Sequence, residues 1–302
     1  MEFPDITLLD GGMGQELLRT ADAEPTPLWS AQVMIDQPDL VRCLHRRFID
    51  AGADMITVNA YSATRCRLGP AGRETDYERL QTLACELAVE ARDDRDDLKI
   101  AGCLSPYGWS YRPDITLPLD ELTARYAETA ALQAPFVDVI ICETMGSIHE
   151  ATAALTGAAT TDTPVWVSWS LLDDETGRLR SGETLADAIA AVADLPAAAL
   201  LVNCSVPESF TAVMPTLARA TVPFGAYANG FTHIAPEFEP GTTVTVLGRR
   251  HDLVPSAYAD AAMGWVDQGA TIVGGCCEIG PDHIAELAHR LGRAIDRVAP
   301  IR

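Results

Sequence analysis

Three cysteines carry the most chemistry in this chain. Cys204 finishes the apolar run 199–204, and the vicinal pair Cys276-Cys277 finishes the run 271–276. Three thiolates on one ion suit zinc and leave its fourth position open to a substrate. Spacing leaves other readings standing. A CxxC pair is the stronger zinc pattern, and neighbours in a regular strand point to opposite faces. Cys276 and Cys277 can therefore share an ion only where the chain bends. Gly274-Gly275 would permit that bend, but the same double glycine also reads as a phosphate-binding turn of a metal-independent lyase. The vicinal pair also fits a thiol switch in a non-catalytic zinc or redox protein.

Polar residues finish other apolar runs: Asp10, Asn59, Glu143 and Asn229. If side chains alternate regularly, all of them face one mouth together with the three thiols. The competing role for Asn and Asp is turn formation. Cys43 and Cys85 fall in helical patterns, and Cys103 and Cys142 in strand patterns, where each reads as a small buried hydrophobe. Cys142 is expected to face the helices, opposite to Glu143. Cys66 reads as a loop residue without a role. His149-Glu150 is expected on the surface near a helix start. His233 and His251 lie in a long loop that could approach the mouth. Lys99 is the only lysine, so a Schiff-base mechanism would have to use it, and its place just before a strand puts it at the wrong end.

The elements that must hold these residues repeat along the chain. Eight short apolar runs, most with β-branched residues, occupy 6–10, 55–59, 100–104, 139–143, 165–170, 199–204, 224–229 and 271–276. Helical patterns lie between them. Leu40, Val41, Leu44 and Phe48 share a face after Pro38. Ile284, Leu287, Leu291 and Ile295 share another after Pro281. Ala-rich segments predict helices over 121–134, 147–159, 185–193, 208–220 and 256–268. Eightfold strand–helix alternation predicts a parallel sheet closed into a single (β/α)8 TIM barrel, one domain over 1–302. Helix-to-strand links are short and carry Gly52 and Gly269 where a left-handed residue is wanted. Strand-to-helix links are long, at 11–38, 105–120, 171–184 and 230–255, which is where barrel enzymes work.

Composition excludes some partners. The 302 residues carry 22 Lys and Arg against 43 Asp and Glu, a net charge of −21. Nucleic acid and anionic membranes are disfavoured, because both need clustered cations. No stretch approaches the roughly 20 apolar residues of a membrane span, and no targeting segment is evident at the N-terminus. A cytoplasmic protein with thiols rather than disulfides is expected. The Asp93–Asp97 cluster reads as a solvated helix end. Oligomeric state is not legible.

With these residues in view, the chain resembles the homocysteine S-methyltransferases, zinc-dependent (β/α)8 barrels with betaine- and selenocysteine-directed relatives. The resemblance runs through Asp10-Gly11-Gly12-Met13-Gly14, Leu28-Trp29-Ser30-Ala31, Ala51-Gly52-Ala53-Asp54 and Asn59-Ala60-Tyr61. It continues in Glu143-Thr144, Ser181-Gly182-Glu183, Asn203-Cys204 with Pro207, and Gly274-Gly275-Cys276-Cys277 with Pro281 and His283-Ile284. It implies zinc (Zn2+) on Cys204, Cys276 and Cys277, which would also be the catalytic residues. It implies that Asp10, Gly11 and Glu143 hold the amino-acid part of homocysteine, with Asn59, Asn229 and Tyr227 as further pocket candidates. Homocysteine and a sulfonium methyl donor are then the small-molecule partners. The chain's length favours S-methylmethionine over S-adenosylmethionine or betaine, and another thiol or selenol acceptor, such as selenocysteine, would use the same chemistry. Tyr107, Trp109 and Tyr111 are candidates to cover the cationic donor. The chain departs from the family pattern at Gln15, Tyr227-Ala228-Asn229-Gly230 and Glu278-Ile279-Gly280.

Overall fold

The computed structural model describes residues 5–21 and 24–293. Eight parallel strands alternate with helices: β1 Thr7–Leu8, β2 Met55–Thr57, β3 Lys99–Leu104, β4 Val139–Met145, β5 Val165–Trp169, β6 Ala197–Asn203, β7 Phe224–Ala228 and β8 Ile272–Gly275. Neighbouring strands pair in the order β1-β8-β7-β6-β5-β4-β3-β2. The two ends of that order meet. Leu9 bridges Met55, the Asp10 amide donates to the Met55 carbonyl at 2.9 Å, and the Asp54 amide donates to the Leu8 carbonyl at 2.8 Å. The sheet is thus a closed (β/α)8 TIM barrel, as the strand–helix alternation predicts, with strand limits shifted by no more than two residues.

The seam between β1 and β2 is held at each end by an aspartate. At the base, Asp54 Oδ2 accepts from the Leu8 amide at 2.7 Å. At the mouth, Asp10 Oδ2 accepts from the Thr57 amide at 2.8 Å. Leu9, Met55, Ala101, Val139, Ile141 and Trp166 are among the side chains that fill the barrel interior. The opposite strand faces pack against the helices in a larger core.

The helices are α1 Met13–Ala21, α2 Ser30–Asp36, α3 Pro38–Asp50, α4 Arg65–Leu68, α5 Tyr77–Arg92, α6 Leu119–Gln133, α7 Ile148–Ala158, α8 Leu185–Ala191, α9 Pro207–Thr211, α10 Met214–Leu217, α11 Pro255–Val266 and α12 Pro281–Arg290. Pro38 and Pro281 open α3 and α12, where a missing amide costs nothing. Val41, Leu44 and Phe48 are buried on α3, and Ile284 and Leu287 on α12. Ile295 lies outside the described residues.

Several expectations are corrected. The segment 11–38 is no open loop: it carries α1 and α2. The helix expected over 208–220 is broken into α9 and α10, because Pro215 lacks an amide and its ring clashes with the carbonyl one turn back. Cys66 sits on α4. Cys43 is exposed, on the solvent side of α3. Glu150 is buried, because its carboxylate accepts the Gly146 amide at 3.0 Å and closes the start of α7. Lys99 opens β3 at the base of the barrel, away from the mouth. None of the described helices is long and apolar enough to cross a membrane.

Candidate active site and metal centre

The strand ends and the loops beyond them enclose a cavity with about 90 Å³ open to the centres of water-sized groups. Asp10, Gly11, Asn59, Glu143, Tyr227, Cys204, Cys276 and Cys277 all line it. Two of these placements depend on left-handed backbone. Asn203 faces the interior and is pinned there: its Oδ1 accepts from the Thr144 amide at 2.8 Å and the Ser168 hydroxyl at 2.7 Å, and its Nδ2 donates to the Thr144 hydroxyl at 2.9 Å. Regular alternation would send the next side chain outward. Cys204 instead has φ +53°, which swings its sulfur back over the mouth. Thr144, the hydrogen-bond partner of Asn203 on β4, has φ +63°.

The bend after β8 has a different origin from the one the double glycine suggests. Gly274 and Gly275 are absent from the left-handed residues, and Glu278 at φ +68° supplies the turn. The two glycines are needed for closeness: a Cβ on Gly274 would lie 2.5 Å from the Leu9 Cβ, and one on Gly275 would strike the Ile279 side chain. Gly12 faces this bend in the same way, since a Cβ there would lie 2.5 Å from the Cys276 carbonyl oxygen. Tyr258 ties the two strands below the site, accepting from the Ala228 amide at 3.1 Å and donating to the Gly274 carbonyl.

The three sulfurs converge. Cys204 Sγ lies 2.7 Å from Cys276 Sγ and 3.8 Å from Cys277 Sγ, and all three fall within 4.8 Å of one another. Tetrahedral zinc with bonds of about 2.3 Å separates its sulfurs by roughly 3.8 Å. Cys204 and Cys277 stand at that spacing and Cys276 lies closer to Cys204, so three soft donors beside an open cavity fit a zinc ion with one free position once Cys276 moves outward by about 1 Å. Burial works against a thiolate at Cys204, but hydrogen bonds from Cys276, Cys277 and Tyr111 hold it well below the ordinary thiol range. Burial pushes Cys276 well above that range. Cys277 rises too, chiefly through its bond to Cys204.

Two buried carboxyls share the floor. Burial raises Asp10 to about 8, against the bonds it accepts from the Thr57 amide and hydroxyl. Burial raises Glu143 to about 7, and Cys103 beside it donates a hydrogen bond that opposes the shift. Cys103 is therefore more than packing: it lies under the carboxyl. Cys142 does face the opposite way, among the residues packed between sheet and helices. Asn59 donates to the Ser30 carbonyl at 3.3 Å.

Asn229 does not reach the cavity. β7 ends at Ala228, and Asn229 Oδ1 accepts from the Phe231 amide at 3.2 Å in a turn two residues long. The turn-forming role of asparagine wins over strand alternation here. Of the expected aromatic cover, Tyr111 lines the cavity and its hydroxyl lies 3.1 Å from Cys204 Sγ. Trp109 packs behind it on Phe238, with ring centroids 5.7 Å apart. Tyr107 faces a separate small cavity beside Arg65 and Tyr126. His233 and His251 are exposed, outside the cavity lining.

Residue-by-residue reading gave no role to Trp29, Tyr61 or Arg67, yet all three line the cavity. Trp29 and Tyr61 meet edge to face at 5.9 Å. Trp29 has φ +49°, and its indole donates to Gln15 Oε1 at 3.0 Å. Gln15 Nε2 in turn donates to Glu278 Oε1 at 2.7 Å. Glu278 also pairs with Arg19 at 2.8 Å and Arg249 at 3.2 Å. Two of the chain's departures from the family pattern, Gln15 and Glu278, are thus one structure that holds an aromatic wall.

Known proteins share this fold and much of this sequence. The profile of the family described as Homocysteine S-methyltransferase matches residues 7–291. The chain is 31% identical to the homocysteine S-methyltransferase of Escherichia coli (strain K12), covering 96% of both chains. It is 29% identical to the selenocysteine Se-methyltransferase of Brassica oleracea var. italica, over 94% of this chain and 88% of that one. The crystal structure of the homocysteine methyltransferase MmuM from Escherichia coli, in its metallated form, superposes with a TM-score of 0.79 at 28% identity, over 95% of this chain and 96% of that one. A matched profile over almost the whole barrel, with thiols and carboxyls gathered at its mouth, makes this chain a methyltransferase and a member of the homocysteine S-methyltransferase family.

Proposed function

We propose that the protein transfers a methyl group from a sulfonium donor, S-methylmethionine by preference, to the sulfur of L-homocysteine, forming methionine. The observation that carries this reading is the convergence of three thiols on an open position beside two buried carboxyls. Cys204, Cys276 and Cys277 would hold zinc. Bound there, zinc supplies the charge that keeps an acceptor sulfur ionised at neutral pH, against a pKa of about 8.5 in water.

The chain's own groups do the rest. Asp10 and Glu143 receive the acceptor's ammonium, whose charge draws both carboxyls down into their ionised forms. Gly11 and Asn59 shape the same floor. Trp29, Tyr61 and Tyr111 wall the space above it, exclude water and present ring faces to a cation. The acceptor sulfur forms its bond to the methyl carbon as the donor's carbon–sulfur bond breaks. Thiolate and sulfonium thereby become two neutral thioethers, with no base required of the protein. The thiol ligands favour a reducing, cytoplasmic setting. All the site residues come from one barrel, so the chain acts as one domain.

The test is methionine formation by zinc-loaded, reduced protein from L-homocysteine and S-methylmethionine, S-adenosylmethionine or betaine in separate reactions. Methionine from a sulfonium, and none with Cys204→Ser, is the expected result. Zinc bound at one per chain with no methionine from any donor overturns the reading. The likeness to a selenocysteine Se-methyltransferase makes selenocysteine the second acceptor to try.

A further inference from the structure

The cavity contains a cation that meets no carboxylate among the described residues. Arg67, on α4, is 8% exposed and lines the cavity. Its guanidinium stacks 3.8 Å from the centroid of the Trp109 ring. Nη1 donates to the Pro27 carbonyl at 3.2 Å and Nη2 to the Ser110 hydroxyl at 3.4 Å. The side chains that act on it electrostatically are Tyr61, Tyr111 and Cys66. A guanidinium has five N–H donors in a planar fork shaped for a carboxylate, and the two hydrogen bonds it makes among the described residues engage only part of that fork. Holding such a cation out of water without an anion is costly. Burial draws it down to about 10.

The cost grows with a sulfonium in the same cavity, because two like charges then face each other at low dielectric. A donor that brings its own anion removes both penalties. The floor is already allotted: the acceptor's sulfur belongs at the thiols and its ammonium at Asp10 and Glu143, all at the strand ends. Arg67 comes from a different part of the lining, on α4 in the connection after β2, and is linked through Ser110 to Tyr61, whose hydroxyl lies 2.9 Å from that of Ser110.

We infer that Arg67 binds the carboxylate of the methyl donor, so that the donor class is a sulfonium carboxylic acid and not a simple alkyl sulfonium. The inference rests on the methyl-transfer reading above, and the test separates the two. Wild-type protein and Arg67→Met are compared with S-methylmethionine, which has a carboxylate, and with trimethylsulfonium, which has none. The wild-type preference for S-methylmethionine in kcat/KM is expected to shrink roughly 10- to 100-fold in Arg67→Met, the range of one charge-assisted hydrogen-bonded pair. The loss should sit mainly in the donor's KM. Arg67→Lys should recover part of it, keeping the charge without the fork.

Equal losses with both donors would make Arg67 a structural tie to Pro27 and Trp109, and overturn the inference. So would a rise in the homocysteine KM alone, or a wild-type enzyme that uses both donors equally well. Calorimetric binding of S-methylmethionine to the metal-free proteins gives a second readout. It should weaken in Arg67→Met by a similar factor, and equal binding to both proteins overturns the inference. Absence of turnover from every donor would sink the methyl-transfer reading, and the binding comparison would still decide the role of Arg67.

Discussion

The two ends of the barrel treat the same physical difficulties in opposite ways. At the base, chain reversals before β2 and β8 use Gly52 at φ +95° and Gly269 at φ +97°, which cost a glycine little. Charge there is matched: Arg293 meets Asp54 at 2.6 Å and caps the Ile6 and Gly52 carbonyls. At the mouth, the outer loops use glycine too, at Gly72, Gly177, Gly182 and Gly241, but around the cavity left-handed backbone falls on residues with side chains. Among the described residues, Trp29, Tyr111, Thr144, Cys204 and Glu278 make up five of the six such non-glycine positions, Asp93 at the end of α5 being the sixth. Each costs about 1–2 kcal/mol. Around the cavity Asp10, Glu143 and Arg67 have no ion-pair partner among the described residues, although Glu278 beside it is paired with Arg19 and Arg249. Glycine would relieve every one of those strained positions and lose the thiol, ring or carboxylate that the site needs. The base is arranged for stability, and the mouth gives some of it up to hold groups ready for ligands.

Substitutions at the two ends should separate these roles. The largest effect is expected from Cys204→Ser, which should weaken zinc binding by more than the roughly 10–100-fold that loss of an outer-shell partner costs. Metal content after dialysis checks this, and retention of zinc at wild-type affinity would remove Cys204 from the centre. Next comes Asp10→Asn. It should lower kcat/KM for homocysteine about 10- to 100-fold, the worth of one charge-assisted hydrogen bond of about 1.5–3 kcal/mol.

The same substitution has a signature in stability. Asp10 at about 8 and Glu143 at about 7 keep protons in the folded state that the unfolded chain releases from about pH 4 upward. Their stabilising contribution is full below the unfolded values and is lost as pH rises through about 7 and 8. The Tm of the metal-free protein should therefore fall between pH 5 and 8, with a shallower fall in Asp10→Asn. Equal slopes would place the Asp10 proton elsewhere.

A smaller effect is expected from Gln15→Leu, which removes the acceptor of the Trp29 indole. Loss of one neutral hydrogen bond of about 1 kcal/mol should raise the donor's KM about five-fold and leave that of homocysteine alone. Parallel changes in both KM values would mean that the Trp29 wall does not distinguish donor from acceptor. The smallest effect on catalysis belongs to the base. Gly52→Ala should cost about 1–2 kcal/mol of stability, near 2–4 °C in Tm for each kcal/mol, with kcat/KM unchanged. A matching loss of activity would break the contrast between the two ends.

The sequence made the barrel legible because each strand is a short apolar run, most of them with β-branched residues, bounded by glycine, proline or polar residues, signals that survive without tertiary context. It hid α1, because Gly11, Gly12 and Gly14 read as loop and mask the Met13–Leu17 spacing. The thiols were visible as a set, but their convergence was not derivable. It rests on left-handed backbone at Cys204 and Glu278, residue types that do not announce it. Alternation failed at Asn229 for a related reason: strand parity ends where the strand ends. Arg67 was invisible for another cause. Its meaning lies in what is missing around it, and single residues in a sequence do not show their neighbours.

The seam of the barrel gives one of these residues a second life as a sensor. Asp10 closes the join between the first two strands by accepting the Thr57 amide and hydroxyl, and the same carboxylate is the one offered to an incoming ammonium. A ligand that engages it must share that carboxylate with the seam. Hydrogen exchange at the single Thr57 amide should therefore report occupancy of the cavity directly, in protein too slow or too poorly metallated for any product to be seen.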